Sequence, residues 1–82
     1  MTRDEAIQYA KDKLADVAFH DYELIAFILR DEIDVDVDHD LWILAYLLSS
    51  GEYGCSRNDV IGLLELMESD KKEVNNVSRT SL

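Results

Sequence analysis

Residues 41–48, LWILAYLL, are apolar without interruption, and the ten residues before them hold six carboxylates and neither Lys nor Arg. The apolar half must be buried, while the acidic half must face water or a positively charged partner. Eight residues fall far short of the ~20 needed to span a bilayer. Burial inside a small domain is the remaining outcome, and the run is expected to form its central helix. Proline is absent, and the only glycines are Gly51, Gly54 and Gly62. Such a chain favours helices joined by short connections over a β-design rich in turn residues. At 82 residues a single domain is expected, near the size where one core only just overcomes chain entropy.

The helices follow from capping signals and apolar spacing. Thr2-Arg3-Asp4-Glu5 has capping-box form, and Ile7, Ala10, Leu14 and Val17 fall on one helical face, predicting a first helix through about Ala18. Lys11 and Lys13 suit its C-terminal half, and Asp4 and Glu5 its first turn. Asp21 can cap a second helix over residues 22–31, apolar enough to pack on more than one side. Asp38 or Asp40 can cap a third over residues 41–50, stopped by Gly51. Ser56-Arg57-Asn58-Asp59 repeats the capping pattern, and Val60, Leu63, Leu64 and Met67 give a fourth helix its buried stripe. Gly62 lies inside that helix at a cost of about 1 kcal/mol relative to alanine, which suggests a close helix crossing. The expected fold is therefore all-α: a compact bundle of about four short helices over residues 1–73, with residues 74–82 as a frayed polar tail.

Between the second and third helices, residues 33–38 read Ile-Asp-Val-Asp-Val-Asp. Period two is strand geometry, but a lone strand needs a copy of itself or a partner's edge to satisfy its hydrogen bonds. The simpler expectation is an acidic extended connector, with Ile33, Val35 and Val37 anchored on the core and the aspartates in water.

The charge balance limits partners. Eighteen acidic against eight basic residues give a formal −10, and the cations cluster near the ends; from residue 31 to residue 56 there is none. Direct nucleic-acid binding needs Lys and Arg on phosphate, and docking on anionic lipid needs them as well. Both are excluded as expectations, and a basic protein surface is the natural complement. The lone Cys55 excludes an internal disulfide and fits a reducing compartment. The N-terminal MTRDEAIQ has no apolar h-region, so no secretory signal is expected and a cytoplasmic location is.

Chemical motifs are weak. Asp34, Asp36, Asp38 and Asp40 suggest the opening of an EF-hand loop, but counting from Asp34 places His39 where glycine is needed and Ala45 where the bidentate Glu is needed; counting from Asp36 places Leu47 there. His20 and His39 lack the companion ligands of a structural zinc site. Cys55, beside a helix N-terminus that would lower its pKa, has no evident base or oxyanion site. No catalytic residue, metal or cofactor is therefore expected. Trp42 and Tyr46, four apart, read as core, or as one side of an interface.

Charge mimicry gives the aspartate ladder a use. On one face of an extended segment, alternate side chains repeat every ~6.6 Å, forming a row that a phosphate-binding groove could accept. Asp31, Glu32, Asp34, Asp36, Asp38 and Asp40 are the candidate partner-binding residues. In size, helix content and cation-free acidic centre, and in the local pattern His20-x-Tyr22-x-x-Ile25 followed by Ile33-Asp34, the chain resembles small phage-type inhibitors of bacterial defence, the DNA-mimicking anti-restriction and acidic anti-CRISPR proteins. The resemblance implies a non-enzymatic inhibitor, in the host cytoplasm if phage-encoded, that occupies the nucleic-acid groove of a host enzyme. The Arg and Lys at both ends depart from an all-acidic mimic. Two other readings stay open: a helical adaptor or immunity/antitoxin-like protein that binds through apolar helix surface, and a homodimer paired through residues 33–38.

Self-repulsion at this net charge opposes compaction, so screening should stabilise the fold. Moderate salt is expected to raise the melting temperature, read by circular dichroism; a flat or falling response would contradict it.

Overall fold

The structure, a computed structural model, describes the backbone of residues 1–80 and the side chains of residues 1–69. Four helices appear among the described residues: α1 (Arg3–Leu14), α2 (Tyr22–Asp31), α3 (His39–Ser50) and α4 (Arg57–Thr80). The all-α bundle is the architecture expected, and no described helix is long and apolar enough to cross a membrane. α4, at 24 residues, is twice the length of α1 or α3 rather than short. Its backbone is helical as far as Thr80, within the stretch expected to form a tail, 74–82; residues 81–82 and the side chains of that stretch lie outside the described residues.

Both capping boxes form. Thr2 Oγ1 accepts from the Glu5 N–H at 3.2 Å, and the Thr2 N–H donates to Glu5 Oε1 at 2.8 Å. Ser56 and Asp59 repeat the exchange at 3.2 and 2.9 Å. Each pair satisfies two of the backbone donors that a helix start leaves open. The same bonds hold the Glu5 and Asp59 carboxyls below the usual carboxylate range.

α1 stops earlier than its apolar spacing predicted. Asp16 Oδ1 accepts from the Ala18 N–H at 2.9 Å and the Asp16 carbonyl accepts from the Phe19 N–H at 3.1 Å, so the chain turns away after Leu14. Val17, expected on the buried stripe, is 91% exposed as a result. Two arginines then join α1 to α4: Arg57 donates to the Leu14 carbonyl at 2.9 Å, an orphan of the α1 C-terminus, and Arg3 donates to the Met67 carbonyl at 3.1 Å.

The core is centred on α2 and α4. Ile25, Leu29, Val60, Leu63 and Met67 are fully buried, with Ala6 and Ala10 of α1 and Ala45 of α3 in the same cluster. Each large side chain removed from water in this way contributes about 1.5–3 kcal/mol. α3 is not the central helix that its sequence suggested. Leu41 and Ala45 are buried, Trp42, Leu44 and Leu48 pack partly against the core, and Ile43, Tyr46 and Leu47 face outward. Three neighbouring helices would be needed to cover an apolar helix all round; α3 has contacts with α2 and α4 only.

α2 and α3 form an antiparallel hairpin closed at one end by Gly51, in the left-handed region at φ +75°, where glycine avoids the clash of a Cβ. A Cβ at Gly51 would also lie 2.7 Å from Glu23 Oε2, the end of an exposed side chain that can turn aside, so the left-handed backbone is what calls for glycine here. Gly62, by contrast, is not a close crossing point: a Cβ there would meet nothing within 4 Å. Gly62→Ala should therefore stabilise the protein by about 1 kcal/mol, seen as a higher urea midpoint. A lower midpoint would mean that a neighbour does occupy that space.

Candidate functional site

The acidic run closes the other end of the α2–α3 hairpin, and it does so as a turn. Asp34 Oδ1 accepts the Asp36 N–H at 2.9 Å, and the Asp34 carbonyl accepts from Val37 at 3.2 Å and Asp38 at 2.8 Å. An aspartate that bonds to the backbone two residues on folds the chain back on itself. The extended connector is overturned by this turn, and among the described residues there is no strand. Only Ile33 anchors on the core, 5% exposed; Val35 is 38% exposed and Val37 is 81% exposed. The single-file row of carboxylates required by an extended segment does not form.

The turn nevertheless brings all six candidates into one short connection. Asp31 ends α2, Glu32 is its C-cap, Asp38 is the N-cap residue of α3, and Asp40 lies in the first turn of α3. Asp31, Asp34, Asp36 and Asp40 are exposed, and Glu32 and Asp38 are half-buried. The two helix ends treat them differently. Asp40 meets the positive end of the α3 dipole, while Asp31 meets the negative end of α2 and is disfavoured there.

The five described cations are engaged elsewhere. Arg3 and Arg57 bond to carbonyls, as described above. Lys11 pairs with Glu68 at 2.8 Å, and Lys13 lies over the rings of Tyr9 and Phe19. Arg30, next to the run in sequence, is stacked 4.4 Å from the Phe27 ring centroid and 5.9 Å from that of Tyr46. Among the described residues, no Lys or Arg pairs with Asp31, Glu32, Asp34, Asp36 or Asp40. Nor does any group of three or more described His, Cys, Asp or Glu residues stand where it could hold a metal ion.

Sequence reasoning offered Trp42 and Tyr46 as core or as one side of an interface, but missed their link to α2. Trp42 and Tyr46 stack at 5.4 Å, and Tyr46 reaches Arg30 and so Phe27, which makes an aromatic–guanidinium strip across α2 and α3. Ile43, Tyr46 and Leu47 extend it along the outer face of α3 at i, i+3 and i+4. The signal was present in the i, i+3 spacing of Phe27 and Arg30, which allows a ring and a guanidinium to stack on one helix face.

Cys55 departs from expectation in sign. Burial comes first, and the charges of Asp59 and Glu23 add to it; together they push the thiol up to about 11. The helix start beside it does not produce the activated thiolate expected from position alone. Thiolate is then about a thousandth of the thiol at pH 8. Alkylation by iodoacetamide should be slow at neutral pH and keep accelerating past pH 10; a plateau near pH 9 would place the thiol in an ordinary environment.

No family model, curated protein or solved structure matches this chain.

Proposed function

We propose that the protein is a non-enzymatic inhibitor that presents the acidic α2–α3 turn to the basic, nucleic-acid-binding site of another protein, of the kind that restriction and CRISPR enzymes use to hold DNA. The observation that carries this reading is that most of the run lacks an internal counter-cation among the described residues. Five carboxylates of the run have no cationic partner among the described residues, although Arg30 lies next to them in the chain. Like charges held together in one short turn repel one another, and a basic groove relieves that repulsion while the acidic field speeds encounter. The turn offers a compact cluster of charge, so the complementary site is a pocket or the mouth of a groove, not a long track.

A second reading draws on the outer face of α3. Ile43, Tyr46 and Leu47 are exposed on a helix with no charged residue from Leu41 to Ser50, which suits an adaptor or immunity-type protein docking through apolar contact. Salt separates the two, because an electrostatic complex weakens steeply with ionic strength and an apolar one does not.

Asp31→Asn, Asp36→Asn and Asp40→Asn, combined, remove three charges without breaking any hydrogen bond of the turn. Mobility shifts of DNA on a set of purified restriction and CRISPR effector complexes provide the assay. One complex is expected to lose DNA binding in the presence of the wild-type protein. The triple variant should be at least tenfold weaker, with its melting temperature equal or higher. A triple variant as potent as wild type, or no complex affected, defeats the proposal.

A further inference from the structure

A groove of about 510 Å³ runs between α3 and α4, away from the acidic turn. Leu44, Leu63 and Leu66 contribute apolar surface, Gly62 leaves an opening in it, and Asp59 and Glu65 supply its charge. No cation lines it. Leu66 is half exposed, and the nearest available space for a side chain at Gly62 is empty. An apolar floor flanked by carboxylates in a chain of net charge −10 is complementary to one kind of surface: an amphipathic helix with an apolar stripe and flanking Lys or Arg. We infer that this groove docks such a basic amphipathic helix from a partner protein.

Other occupants fit less well. The chain's own C-terminal stretch continues α4 as helix to Thr80, so it leads away from the groove instead of folding back over it. A second copy in a two-fold contact would bring the Asp59 and Glu65 carboxylates of one copy towards those of the other. The lining residues of α4 run from Asn58 to Ser69, roughly 16 Å along the helix axis, and match about three turns of an occupant. Its anchors would recur at i, i+3 or i+4, and i+7. Gly62 has a clear role here, since any larger residue would narrow the channel at its middle. The inference is independent of the acidic turn.

The test uses the full chain and two synthetic helical peptides of one composition, leucine and lysine. One carries leucines at i, i+3 and i+7; the other is a scramble with the same charge and no stripe. Binding is followed by amide chemical shifts. The striped peptide should bind at least tenfold tighter than the scramble, with shifts centred on Leu44, Gly62 and Leu66. Gly62→Leu should reduce that binding at least tenfold, and Glu65→Lys, at an exposed site, should reduce it as well with an unchanged circular dichroism spectrum. The Asp31, Asp36 and Asp40 triple variant should bind the striped peptide as wild type does through its groove, which separates failure here from failure of the turn. Equal binding of both peptides, shifts confined to other surfaces, full affinity in Gly62→Leu and Glu65→Lys, or a wild-type dimer that Gly62→Leu abolishes would each overturn the inference.

Discussion

The burial of α2 is the interaction on which the rest of the molecule depends. This helix packs on α1, α3 and α4, and since α1 and α3 do not pack on each other, they are joined through α2 and, beside it, α4. Ile25, Ala26 and Leu29 are wholly buried along one side of a ten-residue helix. Among the described residues the core is one cluster, so nothing else compensates for a weakened one. The surface features on α3 and at the acidic turn are displayed only because this side of α2 is occupied.

That arrangement explains the apolar exposure on α3. Four helices of an 82-residue chain have too little volume to enclose one of their number. Two sides of α2 are claimed by α1 and α4, so α3 covers a third side of it with three of its own eight apolar residues left exposed. The exposed three are not scattered: Ile43, Tyr46 and Leu47 share a face, and Tyr46 continues through Arg30 to Phe27. Stacking a guanidinium between two rings keeps that cation off the neighbouring carboxylates, and so the strip and the acidic turn are linked by one side chain.

Much of the fold was legible in the sequence where a local rule decides the outcome. The bounds of α2 follow from Asp21 and the apolar spacing, both capping boxes follow from residue type at fixed offsets, and the stripe of α4 is buried as its spacing indicated. The misreadings came where a longer-range or competing term wins. Period two in residues 33–38 implied extension, yet one side-chain bond from Asp34 turns the chain. Continuous apolarity in residues 41–48 implied a central position, but composition does not reveal how many neighbours are available. For Cys55 the helix start argued for a lowered pKa, while burial and the nearby Asp59 and Glu23 charges act the other way and prevail. The six candidate residues were legible as a cluster; their curled arrangement was not.

The acidic turn is braced from within. Asp34 Oδ1 takes the Asp36 N–H, and the Asp34 carbonyl takes those of Val37 and Asp38, so one residue fixes the path of the chain between two helices. A loop tied by its own first aspartate has already given up much of the conformational freedom that docking would otherwise cost it.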